Sequence, residues 1–255
     1  MTSQGRVPGR GTSIVTARSA DRFRELRSQL VTENEPQFLS HDRSVARHWG
    51  RLPDAYPDFQ LCLVDEQSGL PIGVGHCVPI DFDGPWASLP AGGLDWALER
   101  AFSDHAVAGS KIASALYIII DDRCRGQGWS TRMLEAMRSL VMARGVTHLV
   151  APVRPSRKAL YPLIPIEAYC GWRSDRQEMF DPWLRAHRRV GGTVLHPCHE
   201  SMVVEASVAE WTAWTGLQFP SAGDYVIPGG HVPLAVSDGR GRYREPGVWL
   251  LHSLG

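Results

Sequence analysis

The chain is short of lysine, of paired cysteines and of long apolar runs. Of its 27 basic residues only Lys111 and Lys158 are lysines. Basic and acidic residues number 27 each, so the formal net charge is zero. No global field then draws the chain to nucleic acid or to an anionic membrane, and neither is expected as a partner. The five cysteines, Cys62, Cys77, Cys124, Cys170 and Cys198, are scattered and include no Cys-x-x-Cys. That spacing argues against a disulfide framework and fits a reducing compartment. No apolar stretch approaches the roughly 18 residues of a membrane span, and no secretory core lies near the start. A cytoplasmic location is the expectation. Internal repeats and low-complexity blocks are missing as well.

What is present is enough apolar material for a core. Hydrophobic residues make up 43% of 255 residues, a length that suits one large domain or two small ones. Residues 1–12 are Gly, Arg, Ser and Pro without periodicity and are expected to form a disordered tail. No linker divides residues 13–255, which are expected to form a single domain. Helical spacing appears over 20–31 (Phe23, Leu26, Leu30, Val31), over 41–50 and over Leu94 to Phe102. Phe59 to Asp65 and Ile72 to Val78 flank a Gly69–Pro71 turn and read as an antiparallel hairpin. Residues 113–120 read as a strand. Met133, Leu134, Met137, Leu140 and Val141 then form one apolar helix face, with Gly145 as its terminator. His148 to Val153 is the next strand, so the three elements form a βαβ unit with parallel strands. Further on, Asp181-Pro182 opens a helix that Gly191-Gly192 ends. A capping box, Ser207 to Glu210, opens another that Gly216 closes. Short strands are expected at Met202–Glu205, Tyr225–Ile227, Val232–Val236 and Val248–His252.

The most informative stretch is 115–131, an apolar strand, a basic turn with two glycines and a helix start. Gly126 and Gly128 permit close approach of a ligand to the backbone. The free N–H groups and the positive dipole end of the following helix suit an anion, phosphate above all. A P-loop requires Gly-x-x-x-x-Gly-Lys-[Ser/Thr], which is absent. A dinucleotide fingerprint requires a third glycine where Thr131 stands, and an acid about 20 positions on, where His148-Leu-Val stands.

Residues 118–134 resemble the acyl-CoA motif of the GNAT superfamily of N-acetyltransferases. In that motif an apolar strand and short turn lead to [Gln/Arg]-x-x-Gly-x-[Gly/Ala] at the start of an amphipathic helix. The match is Arg125-Gly126-Gln127-Gly128-Trp129-Ser130, preceded by Ile118-Ile119-Ile120 and followed by Leu134. Ser130, still a small residue, stands where the family prefers Gly or Ala, and Asp122 stands where many members have proline. A second register, Arg123-x-x-Gly126-x-Gly128, also fits. The first starts the helix in the better place, beside Ser130 and Thr131. The resemblance implies an α/β (α+β) fold, with a GNAT-like mixed central sheet, helices on both faces and extra C-terminal strands and helices. It assigns the acyl-CoA core to about 15–175 and an extension to about 176–255.

The resemblance also implies the chemistry, in which acetyl-CoA or another acyl-CoA is co-substrate and no metal takes part. Residues Arg125, Gly126, Gln127, Gly128, Trp129, Ser130 and Thr131 would hold the pyrophosphate. Ile118, Ile119 and Ile120 would bond the pantetheine arm where the strand splays from its parallel neighbour. An N–H there would polarise the thioester carbonyl. The acceptor is expected to be the primary amine of a small molecule, attacking directly. Attack requires a deprotonated amine and a proton for the leaving thiolate. The family's base is a carboxylate or a water it holds, yet strand 113–120 carries no acid. Asp121 and Asp122 lie past its end, beside Arg123 and Arg125. Asp81 and Asp83 sit in the loop after the hairpin, as candidates or as ordinary turn residues. His76 lies inside a strand. For the thiolate acid, Tyr161 and Tyr169 are the candidates, with Tyr161 closer to the strand; either also reads as a core aromatic. Arg154, Arg157 and Lys158 would meet a phosphate or form a solvated surface. His196-Pro-Cys198-His199 has metal-ligand residue types without a second pair. Two alternatives stay open: a CoA-binding module without turnover, and another acyl-CoA thioester reaction on the same fold. A homodimer is equally left open.

Overall fold

The computed structural model describes residues 11–31, 36–103 and 109–255. In chain order the elements are β1 (Thr12–Thr16), α1 (Ala20–Ser28), α2 (Arg43–His48), α3 (Leu52–Ala55), β2 (Gln60–Asp65), β3 (Pro71–Ile80) and α4 (Gly93–Ala101). Then follow β4 (Ile112–Ile120), α5 (Trp129–Met142), β5 (His148–Val153), α6 (Ile166–Gly171) and α7 (Pro182–Arg189). The last elements are β6 (Thr193–Ser207), α8 (Val208–Thr215), β7 (Gly223–Tyr225), β8 (Leu234–Ser237) and β9 (Arg240–Ser253). Of the expected tail, 1–10 lie outside the described residues, and Thr12 already belongs to β1, paired with Asp65.

The sheet runs β1-β2-β3-β4-β5-β9-β8-β7, with β6 also paired to β9. Only β4 and β5 are parallel among the described pairs, as a strand–helix–strand crossover requires. The expected mixed sheet with helices on both faces is found. On one face Met133, Met137 and Val141 of α5 pack with Leu184 of α7 over Ala113, Leu149 and Leu250. On the other, Phe23 and Leu26 of α1 cover Cys62 and Val74. Beside them Leu94, Ala97 and Leu98 of α4 cover Val78, Leu116 and Trp249.

The C-terminal strands are longer than their apolar segments suggest. β6 runs for 15 residues, and β9 for 14. The half of β9 from Val248 to Ser253 lies against β5, so the sheet continues across residue 175. Its physical reason is that β5 is buried from Leu149 to Val153. Its backbone therefore needs hydrogen-bonded partners, and β9 supplies them along the whole of β5. The other ends of β6 and β9, with α8, β7 and β8, enclose a small separate core around Trp211, Tyr243 and Phe38. Local chemistry sets the helix ends as expected. Asp181 accepts from the Trp183 and Leu184 N–H groups. Ser207 and Glu210 form the capping box, and Gly216 closes α8 in the left-handed region.

One buried acid makes stability depend on pH. Burial, then the facing Asp42 carboxylate, pushes Asp95 of α4 up to about 9. Unfolded, Asp95 would titrate near the ordinary value of 3.8. The folded chain therefore binds one more proton across that window, and its stability falls as pH rises from about 4 to about 9. Asp95→Asn cannot ionise and is expected to flatten this dependence, with a gain of about 2 kcal/mol at pH 8 and little at pH 4. Thermal unfolding of both proteins across pH measures it; parallel curves would refute the assignment.

Candidate active site

The site begins where two strands part. β4 and β5 pair only from Ile112–His148 to Ser114–Val150. Beyond that point β5 continues against β9, while Ala115 to Ile120 of β4 have no partner on that edge among the described residues. The gap is the splay expected beside Ile118, Ile119 and Ile120. A bulge lies at its apex. Cys77 pairs with Ala115 and His76 with Tyr117, leaving Leu116 as an extra residue. A bulge breaks the alternation of faces. Leu116 packs with α4, and its neighbour Tyr117 also turns to that face, its ring 5.7 Å from Trp49.

β4 then runs into the glycine turn. Asp121 is buried there, held by the Arg123 guanidinium at 2.6 Å and by the Val31 N–H at 3.0 Å. Arg123 holds the Asp121 carboxyl down at about 2. Asp122 pairs with Arg125 at 2.7 Å. Both acids are thus engaged in shaping the turn. Gly126 (φ 75°) and Gly128 (φ 79°) occupy the left-handed region, which L side chains disfavour. A Cβ placed on either would meet no protein atom within 4 Å. The space in front of both glycines is therefore open. Gly128 is the N-cap of α5, and the first helical bond is from the Arg132 N–H to the Gly128 carbonyl. The N–H groups of Gly128, Trp129, Ser130 and Thr131 precede it and lack intrahelical acceptors. This helix start favours the Arg125-x-x-Gly128 register. The Trp129 side chain turns into the core, with Arg132 stacked 4.7 Å over its ring, so Trp129 offers the site only its backbone.

The structure separates the three catalytic candidates. Tyr161 lies in the loop after β5, among Trp172 (4.9 Å between ring centres) and Phe180 (5.8 Å). Its hydroxyl has no hydrogen-bond partner among the described residues. Tyr169 is buried, and its hydroxyl donates to Asp181 Oδ2 at 2.8 Å. Burial first, then the Asp181 carboxylate, raises its pKa well above the ordinary tyrosine value. Asp181 also accepts from the Arg157 N–H at 2.9 Å, so it ties the loop, α6 and α7 together. Asp81 is exposed at the end of β3, with its carbonyl 2.9 Å from Arg100 Nε. Neighbouring Ile80 pairs with Ile112, the first residue of β4, so Asp81 sits at the opposite end of that strand from the glycine turn.

Several contributors were not evident from sequence. Lys158 is wholly buried, donating to the Tyr161 carbonyl at 2.8 Å and to the His231 carbonyl at 2.6 Å. Arg154 pairs with buried Glu245 at 2.5 Å. These two cations anchor the Tyr161 loop to the C-terminal segment and are not a free basic surface. His76 and Ser114 are buried, and half-buried Tyr117 has its hydroxyl oxygen buried on the same sheet face; only the break in pleat caused by Leu116 brings Tyr117 to that face, and no local pattern announces it. His196, Cys198 and His199 lie close together in β6, but Cys198 is buried and His199 pairs with Glu167 at 3.1 Å. Among the described residues no group of three ligating side chains converges.

No protein-family model matches the chain. A curated relative, arginine N-acetyltransferase avaD of Aspergillus versicolor, is 27% identical over 249 residues, covering 86% of this chain and 85% of that one. Among solved structures, the loading GNATL domain of CurA from Lyngbya majuscula superposes with a TM-score of 0.58 at 15% identity, covering 96% of this chain and 98% of that one. The GphF GNAT-like decarboxylase in complex with isobutyryl-CoA gives 0.55 at 15% identity, covering 96% and 100%. The two structures share this fold, and the curated relative is similar in sequence over most of both chains. The chain has the GNAT-like fold of these structures, and its sequence is similar along most of its length to that of an N-acetyltransferase.

Proposed function

We propose that the chain transfers an acetyl group from acetyl-CoA to the primary amine of a small molecule. The carrying observation is the open space in front of Gly126 and Gly128, at a helix start that closes one end of the β4/β5 gap. Backbone N–H groups of residues 125–131 would hold the pyrophosphate. The free edge of Ile118 to Ile120 would bond the pantetheine amides. N–H groups pointed at the thioester carbonyl stabilise the negative charge that grows there during attack. The neutral amine attacks the thioester carbon, the carbon–sulfur bond breaks, the nitrogen gives up one proton to solvent as the amide forms, and the departing sulfur takes one. Tyr161 is the better of the two tyrosines to supply that proton, because the Tyr169 hydroxyl is already engaged with Asp181. Acetyl is the simplest donor that fits the reading. The arginine N-acetyltransferase relative makes L-arginine the first acceptor to try.

Release of free thiol from acetyl-CoA with L-arginine, agmatine or tyramine tests the reading, with the acetylated amine identified by mass. Tyr161→Phe is expected to lower kcat by about 10²-fold while both KM values change little, the usual size of a lost general acid. An unchanged kcat would remove Tyr161 from that role. CoA binding without thiol release would favour a module without turnover. Thiol release without an acetylated amine would favour a different thioester reaction.

A further inference from the structure

The reaction needs an amine held with its lone pair toward the thioester, and no carboxylate stands on β4. The face of the sheet at the apex of the gap carries something else. Among the described residues, His76 Nε2, Tyr117 Oη and Ser114 Oγ are each buried with no hydrogen-bond partner. Buried polar atoms are nearly always satisfied, so such orphans call for a ligand or water. They are neighbours in the sheet. His76 and Tyr117 are paired across β3 and β4, and Ser114 is the last β4 residue joined to β5. Ala113 and Ala115 face α5, so alternation turns Ser114 to the opposite face. His76 and Tyr117 share that face, both edge-on to Trp49 at 5.1 and 5.7 Å.

The His76 tautomer follows from its neighbour. Gln60 Nε2 donates to the Tyr56 carbonyl at 3.0 Å and to the Cys77 carbonyl at 2.8 Å. Its Oε1 therefore faces His76 Nδ1, 2.7 Å away. An amide oxygen only accepts, so Nδ1 must carry the proton and Nε2 presents a lone pair. Burial first, then the charge of Arg27, drives the imidazole pKa down to about 3, so the ring stays neutral. The other groups packed against it, Phe23 of α1, Trp49 and Tyr117, carry no charge.

We propose that His76, Tyr117 and Ser114 form the amine subsite, in which the imidazole Nε2 and a hydroxyl oxygen accept the two N–H bonds of a neutral primary amine. This inference rests on the N-acetyltransferase reading. Both donors of the amine are then engaged, and its lone pair is left for the thioester. A subsite without negative charge, and near Arg27, disfavours the ammonium and takes the free base. Deprotonation then precedes binding and requires no carboxylate on β4.

Tyr117→Phe and Ser114→Ala each delete a hydroxyl that bonds nothing among the described residues, so folding is expected to be unchanged. Each is expected to raise KM for L-arginine, agmatine or tyramine, whichever is turned over, by about tenfold, the worth of one well-formed hydrogen bond. KM for acetyl-CoA stays constant. His76→Leu loses the acceptor, and His76→Gln, whose amide reaches the position of Nε2, restores part of it. For wild type, log kcat/KM for the amine rises with unit slope up to the amine's own pKa. Unchanged amine KM values in Tyr117→Phe and Ser114→Ala, with normal turnover, would overturn the subsite and leave these atoms to buried water. An equal rise in KM for acetyl-CoA would overturn it too. If wild type acetylates none of the amines, the N-acetyltransferase reading itself fails and takes the subsite with it.

Discussion

Gly128→Trp is expected to abolish use of acetyl-CoA at ordinary concentrations while leaving the protein folded. The mutated residue starts α5 with φ 79°, and its missing side chain faces open space. Its Cβ meets no protein atom within 4 Å, and the indole beyond it extends into the space in front of the turn. It fills the volume in front of the N–H groups that would receive the pyrophosphate. Each hydrogen bond to a charged group is worth about 1.5–3 kcal/mol, so losing two raises the dissociation constant by about 10²-fold or more. Backbone strain at positive φ costs about 1–2 kcal/mol and appears as a fall in Tm. Gly128→Asn separates the two effects, since asparagine tolerates the left-handed region and is small. Calorimetric titration with CoA should give near-normal affinity for Gly128→Asn and none for Gly128→Trp. Unimpaired binding by Gly128→Trp would move the donor site elsewhere.

Glu245→Ala is expected to be the most destabilising single change. The carboxylate is 1% exposed and lies within 2.9 Å of His231 Nδ1 and 2.5 Å of Arg154. The Tyr243 hydroxyl donates to it as well. Burial alone would raise its pKa, but Arg154 and His231 together hold it down at about 2. Truncation leaves the buried Tyr243 hydroxyl and His231 Nδ1 without that acceptor, while Arg154 keeps, among the described residues, only the Gly229 carbonyl. Breaking a buried pair in this way costs about 3–5 kcal/mol, a fall in Tm on the order of 10 °C for a chain this long. Glu245→Gln keeps an acceptor for Tyr243 and should lose less. The sign with pH is fixed by the lowered value. Glu245 stabilises the fold above its ordinary pKa of 4.5, and the contribution is lost as pH falls toward 2. Acid unfolding monitored by circular dichroism should therefore begin at higher pH in wild type than its thermal stability at neutrality suggests, and Glu245→Gln should lack that component. A Tm unmoved by Glu245→Ala would show the network to be solvated.

Legibility from sequence followed the range of the interactions. The strand, turn and helix of 112–142 depend on contacts a few residues apart: apolar alternation, glycines at positive φ and an amphipathic helix face. The caps at Asp181 and Ser207 are equally local, and both could be read directly. β1 was lost because Thr12 to Thr16 resembles a polar tail until Leu61 to Asp65 pairs with it. Much of β6 was lost because His196, Pro197 and Cys198 interrupt the strand pattern. The ladder tolerates them through register shifts on either side, which only the partner strand reveals. Lys158 read as a surface charge, because its burial depends on two carbonyls, one of them at His231 more than 70 positions away.

The sequence by itself determined the apolar strand, the two-glycine turn and the amphipathic helix of 112–142, because each depends on residues a few positions apart. Tertiary structure alone decided how far β4 and β5 stay joined, where the strand bulges, and that β9 takes the place beside β5. It also decided that Tyr169 is occupied while Tyr161 is not, and that His76, Tyr117 and Ser114 share a face. The physical reason is hydrogen-bond register. A local motif states which torsions a segment prefers, but pairing between distant strands selects which side chains meet, and a single extra residue such as Leu116 turns them to a different face.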